Sequence, residues 1–217
     1  MRQDWMLFLT KVASTRIYRS GETIFLEGDP ARYLYYMEDG LALTYSGGED
    51  GRERGVMAVW PGEFFGTSSF LQENEHRNSS VALKQCRVLV IDTQAYQACR
   101  EKFPQFVPDM MGELSREVAV LLEQLADSSL LESDVKVARF LCRRVEREHC
   151  VRRGAKVLLD YSQDLISRML GLSRWTVNQA LSQFKEAGWV DTGYRVIEIT
   201  DYDALRGFAG MSERRGA

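Results

Sequence analysis

The hydrophobic pattern changes period along the chain, and each change marks a different kind of structure. From residue 15 to about residue 100, short runs rich in β-branched and aromatic residues alternate with glycine-containing turns. Because these strand-like runs follow one another closely, the pattern predicts an antiparallel barrel or sandwich without intervening helices. The predicted strands are Thr23–Leu26, Tyr33–Met37, Leu41–Tyr45, Gly55–Trp60 and Val88–Ile91.

The next segment has the spacing of a helix with an apolar seam. Pro104 is suited to the start of a helix, and the polar run at residues 127–129 is suited to its end or to a cap. The spacing predicts a helix that joins two copies of the chain, and packing of the same stripe on the chain's own barrel is the alternative. The a/d positions, at intervals of three and four, are Met111, Leu114, Val118, Leu121 and Leu125.

The last segment carries two short helical patterns separated by a glycine. Ser162 is a suitable N-cap for a helix that buries residues 165, 166, 169 and 170, and Gly171 suits the left-handed position that ends it. Ser173 caps a second helix that buries Val177, Leu181 and Phe184. A strand pair around Gly193 follows, so the pattern predicts a winged helix-turn-helix.

The exposed face of the second helix carries side chains that suit base recognition. Arginine pairs bidentately with guanine, asparagine or glutamine pairs with adenine, and short hydroxyls at a helix start contact phosphates. A helical hairpin with a solvated polar face is the alternative interpretation. The predicted DNA-binding residues are Ser162, Ser173, Arg174, Trp175, Thr176, Asn178, Gln179 and, on the wing, Arg195.

Composition and charge agree with this interpretation. The 217 residues are 45% hydrophobic and 27% charged, as expected of a globular protein, and no apolar run reaches membrane-spanning length. The N-terminus lacks the pattern of a signal peptide, so we expect a cytoplasmic protein with no membrane partner. Residues 133–217 carry 15 Lys and Arg against 11 Asp and Glu within a chain of net charge −3. This basic last third favours a polyanionic partner.

The reactive side chains do not form a catalytic or metal-binding pattern. The four cysteines contain no CxxC pair and are interpreted as small buried hydrophobes. His76 and His149 are isolated, and His76 is interpreted as a solvated loop residue. No Walker, GxGxxG, HExxH or nucleophile-elbow motif occurs. We therefore predict that the protein is not an enzyme and has no metal or other cofactor.

Four motifs in this order resemble the CRP/FNR family of bacterial transcription regulators, the family of the cyclic-AMP receptor protein and the fumarate–nitrate regulator. They lie at residues 19–29, 35–40, 61–66 and 171–177, so that the resemblance covers nearly the whole chain. It implies an α+β fold with a β-roll effector-binding domain at 1–103, a dimerisation helix and hinge at 104–132, and a winged helix-turn-helix DNA-binding domain at 133–217. It also implies a homodimer on an inverted-repeat, double-stranded DNA operator, with RNA polymerase as a further partner.

The resemblance implies an effector site in the β-roll, but the site departs from cyclic-AMP-binding members. Thr67 stands where those members have a glutamate, Asn78 replaces a serine, and Leu121-Leu122 replaces a Thr-Ser pair. The N-terminal cysteine cluster of iron–sulfur members is absent, because the first cysteine is Cys86. We therefore expect a small effector of unknown identity other than cyclic AMP.

The predicted lining is apolar and aromatic, with Arg77 as its cation, which suits a largely apolar effector that is anionic or aromatic. The alternative is that the aromatic residues, with Phe64 among them, are barrel core. Two other function classes share the β-roll, namely kinase regulatory subunits and channel modules, and a regulator that needs no effector is a third alternative. The predicted effector-binding residues are Trp60, Phe65, Gly66, Thr67, Ser68, Arg77, Asn78, Leu121 and Leu122.

Overall fold

The computed structural model describes residues 2–47, 53–147, 157–159, 162–193 and 196–211. The chain divides into two compact units, Met1–Leu122 and Glu123–Ala217, and the boundary falls inside one long helix. The first unit and that helix contain α1 (Arg2–Val12), β1 (Ser14–Tyr18), β2 (Thr23–Phe25), β3 (Leu34–Asp39), β4 (Ala42–Gly47), β5 (Glu53–Val59), β6 (Phe64–Phe65), α2 (Thr67–Leu71), β7 (Ser79–Ala82), β8 (Cys86–Ile91), α3 (Thr93–Lys102) and α4 (Phe106–Leu130).

The described strands of the first unit form two four-stranded antiparallel sheets, in the orders β1-β8-β3-β6 and β2-β7-β4-β5. Successive residues of a strand point to opposite faces of its sheet. In β3, Leu34 and Tyr36 pack into one core cluster, whereas Tyr35 and Met37 pack into another. Both faces of this sheet are therefore covered, which explains why residues 34–37 of β3 are apolar or aromatic without interruption.

Helices cover one of these two faces, and of these helices the sequence pattern predicted only the one that begins near Pro104. Trp5 of α1 is fully buried, with its ring 5.9 Å from that of Phe64 and 5.2 Å from that of Phe106 on α4. Its indole Nε1 donates a hydrogen bond of 2.8 Å to Asp109. The expectation that no helix intervenes from residue 15 to about residue 100 is wrong for α2 and for most of α3, while α1 precedes that region. Strands β1, β6 and β7 were also not predicted.

The helix α4 continues through the polar run at residues 127–129 and ends at Leu130. The run itself is helical, since aspartate and serine are only modestly poorer helix formers than alanine and no glycine or proline occurs at that point, and the helix ends one residue after it. None of the described helices is both long enough and apolar enough to span a bilayer.

The second unit is a small helical domain with a three-stranded antiparallel sheet in the order β10-β11-β9. Its core is formed by apolar side chains of α5 and α7, such as Leu141 and Phe184, both fully buried. The elements after α4 are α5 (Ser133–Arg147), β9 (Val157–Leu159), α6 (Gln163–Leu170), α7 (Arg174–Glu186), β10 (Val190–Gly193), β11 (Val196–Ile199) and α8 (Tyr202–Phe208). The predicted winged helix-turn-helix is thus confirmed as a fold.

Candidate functional sites

The turn between α6 and α7 is built by the local signals that the sequence predicted. Ser162 Oγ accepts a hydrogen bond of 3.1 Å from the backbone N–H of Leu165, which caps α6. Gly171 ends α6 with a left-handed φ of 63°, a conformation that glycine adopts without steric strain. Ser173 Oγ accepts a bond of 3.0 Å from Thr176 N, which caps α7. These contacts fix the angle at which α7 leaves the turn.

The start of α7 presents a polar and aromatic face to solvent. Val177 and Leu181 point into the core, so that the opposite side of the helix is exposed. Trp175 is 69% exposed, which is unusual for the largest aromatic side chain in a folded domain. The predicted reading residues that share this exposed face are Arg174, Trp175, Asn178 and Gln179. Thr176 is half-buried, its hydroxyl 2.7 Å from that of Ser173. Arg195 lies outside the described residues.

Two residues of α6 that sequence reasoning missed lie against this face. Gln163 Nε2 donates a hydrogen bond of 3.2 Å to Asn178 Oδ1. The Asp164 carboxylate lies 3.8 Å from Arg174 Nε. Gln163 is 15 positions from Asn178 in the sequence, and Asp164 is 10 positions from Arg174. Helix and strand periodicity predict contacts only within one element, so these two contacts could not be predicted from the sequence.

In the β-roll, Gly66 brings two parts of the predicted effector site together. It has a left-handed φ of 70°, and a Cβ there would stand 3.0 Å from the Tyr35 ring and 3.4 Å from the His76 ring. The turn that leads to Thr67 therefore packs directly against the loop that carries Arg77. Thr67 is buried, and its Oγ1 has no hydrogen-bond partner among the described residues. A buried hydroxyl without a partner costs stability, so that Thr67 is a candidate ligand contact.

The loop after His76 places its polar side chains at the surface. Arg77 is exposed, and Asn78 Nδ2 donates a hydrogen bond to Ser46 Oγ on β4. Ser68 is also exposed and accepts a bond from Gln72. A surface cavity of about 370 Å³ beside Arg77 is lined by Glu27, Gly28, Asn74, Glu75, His76 and Arg77. The immediate surroundings of Arg77 thus include two carboxylates rather than apolar side chains.

The aromatic residues of the predicted lining are mostly core. Phe65 is 2% exposed and stacks with Phe25 and Tyr35, at ring distances of 6.1 and 5.2 Å. Phe64 is buried in the cluster around Trp5. For these two residues, the packing favours the alternative of barrel core. Trp60 is half-buried beyond the end of β5. Leu121 is half-buried and Leu122 exposed on α4.

His76 is buried, so that its interpretation as a solvated loop residue is wrong. Its ring stacks on Phe25 at 3.9 Å with an interplanar angle of 13°. Its backbone hydrogen-bonds to the turn after β2: His76 N donates to Asp29 O and His76 O accepts from Gly28 N, both at 2.8 Å. Burial lowers the pKa of His76 below its ordinary value, while the nearby Asp29 carboxylate opposes this change. The neutral imidazole is therefore the form that the aromatic stack holds at neutral pH.

The described cysteines behave as small hydrophobes, as the sequence predicts. Cys86, Cys99 and Cys142 are buried and form no disulfide. Burial raises the pKa of Cys86 and of Cys99 to about 11 and that of Cys142 to about 12. Because the thiolate is the reactive form, these thiols are inert at neutral pH. Cys150 and His149 lie outside the described residues.

Two faces of α4 have different surroundings. Phe106 and Met110 are buried in the core of the β-roll. Met111 and Val118, which lie about 80–140° around the helix axis from these two, are 51% and 54% exposed. The a positions of the predicted seam therefore remain on the surface, whereas its d positions, Leu114 and Leu121, lie close to the side of Met110 and are half-buried.

Known proteins match both units of the chain. A family model described as a cyclic nucleotide-binding domain matches residues 15–103, and one described as a Crp-like helix-turn-helix domain matches residues 135–208. The chain is 27% identical over 198 residues to the CRP-like cAMP-activated global transcriptional regulator of Mycobacterium tuberculosis, across 91% of this chain and 88% of that protein. It is 27% identical over 194 residues to the cyclic AMP receptor protein of Thermus thermophilus, across 89% of this chain and 87% of that protein.

Solved structures share the fold over the same span. FixK2 from Bradyrhizobium japonicum matches with a TM-score of 0.78 at 24% identity, across 93% of this chain and 99% of that one. The domain matches give a cyclic nucleotide-binding domain followed by a Crp-like helix-turn-helix domain, and the structure has the corresponding elements in the same order, with α4 between the two matched spans. The chain belongs to the CRP/FNR family of bacterial transcription regulators.

Proposed function

We propose that the protein is a sequence-specific DNA-binding transcription regulator that acts as a homodimer and is switched by a small effector in the β-roll. The observation that carries this proposal is the exposed start of α7, where Arg174, Trp175, Asn178 and Gln179 share one face. In this class of domain, the N-terminal residues of the second helix enter the major groove. The DNA site of a two-fold dimer is an inverted repeat, with half-sites about 34 Å apart. RNA polymerase is the partner through which such a regulator acts.

The residues on this face have complementary chemistry for bases. Arg174 donates to guanine O6 and N7, Gln179 pairs with adenine, and Trp175 packs on a thymine methyl group. The caps of Ser162 and Ser173 hold the two helices, and Ser173 and Thr176 place hydroxyls at the helix start, where a DNA phosphate approaches. Arg195 on the wing is proposed to contact a phosphate.

The exposed a/d positions of α4 support the homodimer. Met111 and Val118 are one heptad apart and more than half exposed in the single chain. Buried apolar seams of this spacing pair two helices in a coiled coil. The β-roll core takes Phe106 and Met110, so that the exposed a positions are the part of the seam left for a partner helix. The half-buried d positions, Leu114 and Leu121, lie at the edge of the seam toward the β-roll.

The buried Thr67 hydroxyl beside Gly66 supports an effector site at the β6–α2 turn. The relatives described above are named for cyclic AMP, yet Thr67 is neutral where the resemblance implies a glutamate for the ribose. We infer that the effector enters near Thr67 and Arg77 and is not cyclic AMP.

Cyclic AMP at millimolar concentration is expected to leave the thermal unfolding midpoint of the full chain unchanged. A ligand present at 100 times its Kd stabilises the folded state by about 2.7 kcal/mol, which raises the midpoint by several degrees. Differential scanning fluorimetry with cyclic AMP, and with AMP as the control nucleotide, measures this. A rise of several degrees with cyclic AMP alone would show that Thr67 does not exclude it.

Arg174→Ala is expected to relax base preference at one symmetric pair of operator positions. The loss corresponds to about 1–3 kcal/mol of discrimination, because the alanine has no donors for guanine. The measurement is selection from randomised duplexes with the full chain, followed by sequencing. Arg195→Ala is the matched control, since loss of a phosphate contact weakens binding to all sequences and lowers the salt slope by about one. If the parent and Arg174→Ala select the same consensus sequence, Arg174 does not contact bases.

A further inference from the structure

The first two residues of α6 contact two residues of the proposed reading face. Gln163 Nε2 donates to Asn178 Oδ1 at 3.2 Å, and Asp164 Oδ1 lies 3.8 Å from Arg174 Nε. We propose that Gln163 and Asp164 are positioning residues that determine which bases Asn178 and Arg174 prefer. This inference rests on the proposed DNA-binding function, and it adds the first helix of the motif to the determinants of specificity.

Stability does not account for the pair of Asp164 and Arg174. Their side chains are 58% and 71% exposed, and ion pairs exposed to this degree contribute little to folding. A carboxylate on the surface that approaches DNA is moreover unfavourable, because it repels the phosphates of every sequence. Asp164 therefore lowers the affinity of the protein for DNA of any sequence. A favourable contact of Arg174 with its preferred base offsets this loss of binding free energy, so that only the preferred sequence is bound well.

The position of Asp164 beside the Arg174 guanidinium indicates which group Arg174 contacts on DNA. Asp164 approaches Arg174 at Nε, so the two Nη groups remain at the far end of the guanidinium. This end donates in parallel to guanine O6 and N7. A phosphate oxygen that approaches the same arginine is repelled by Asp164, whereas the neutral edge of guanine is not. Asp164 thus biases Arg174 from the backbone toward a base.

Gln163 has a corresponding effect on Asn178. Bidentate pairing of an asparagine with adenine uses both its amide oxygen and its amide nitrogen. Gln163 occupies one of the two lone pairs of Asn178 Oδ1 and turns this oxygen toward α6, which leaves Nδ2 as the group directed at the groove. Asn178 then donates to any base that presents an acceptor, such as N7 of guanine or adenine or O4 of thymine, and the bidentate recognition of adenine is left to Gln179.

The test compares variants of the full chain in selection from randomised duplexes. Asp164→Ala is expected to reduce the guanine preference at the Arg174 position about tenfold, to strengthen binding to an unselected duplex and to steepen the salt slope by about one. Asp164→Glu is expected to retain the preference. Gln163→Ala is expected to add adenine preference at the Asn178 position. Glu186→Ala is the matched control, because it removes an exposed carboxylate about 18 Å along the helix from Arg174.

The outcomes separate this inference from the function on which it rests. If Arg174→Ala loses the guanine preference and Asp164→Ala keeps it, Asp164 does not position Arg174, while the proposed function stands. If the parent selects no consensus, or Arg174→Ala selects the parental one, Arg174 is not a base reader and the inference fails with it.

Asp164 also lies in the first turn of α6, where a carboxylate favours the helix. A loss of preference in Asp164→Ala that comes with a lowered thermal midpoint and with weaker binding to the unselected duplex would show that Asp164 acts through helix stability and not by positioning Arg174.

Discussion

Replacing Met111 and Val118 together with aspartate is expected to give a monomer that binds an inverted-repeat duplex about 10²–10⁴ times more weakly. The loss arises because two linked reading helices bind with avidity that a single one lacks. Both positions are more than half exposed in the single chain, so the substitutions leave the core of each protomer unchanged. Analytical ultracentrifugation gives the oligomeric state, and fluorescence anisotropy with the selected operator gives the affinity.

Ala119→Asp is the matched control for this change. Ala119 is exposed on the same helix, about 100° around its axis from Val118 and off the a/d seam. We expect this variant to remain dimeric and to bind the operator like the parent. A double variant that stays dimeric in sedimentation, with circular dichroism like that of the parent, would contradict the a/d interface.

Gly40→Ala is expected to lower the free energy of unfolding of the β-roll by at least about 3 kcal/mol, the sum of overpacking and left-handed strain. Gly40 follows β3 with a φ of 103°, and a Cβ there would stand 2.2 Å from Gln85 O and 2.7 Å from Cys86 Cα. Both atoms belong to the backbone that leads into β8, so that the central pair β3 and β8 would have to separate. Urea denaturation followed by tryptophan fluorescence measures the change.

Gly28→Ala separates the two causes of this expected loss. Gly28 has a similar φ of 85°, but nothing lies within 4 Å of the position that its Cβ would take. Its substitution should therefore cost only the left-handed strain, about 1–2 kcal/mol. Equal losses for both variants would show that β3 and β8 accommodate the additional methyl group.

Much of the architecture could be predicted because its signals are local. The caps at Ser162 and Ser173 and the left-handed Gly171 depend on atoms within a few residues of one another. The a/d spacing of residues 111–125 likewise follows from the period of a single helix, whose bounds it located to within a few residues. The order of an antiparallel β-domain, a long helix and a winged helix-turn-helix followed from such local signals, and so did the exposed face of α7, whereas the β-roll was implied by the resemblance to the CRP/FNR family.

The environment of individual side chains in the β-roll was decided by the tertiary structure. The sequence contains Phe64, Phe65 and His76, but it does not show that two sheets and four helices form the clusters in which they are buried. From the sequence, Gln163 and Asp164 are indistinguishable from solvated residues at the start of a helix. Their contacts with Asn178 and Arg174 exist only because α7 packs beside α6 in the folded domain. The chain by itself determined the kinds of domain, because local conformational preferences act over a few residues. Which residues are core, pocket or positioning contacts depends on packing between segments far apart in the sequence, and only the folded structure brings these together.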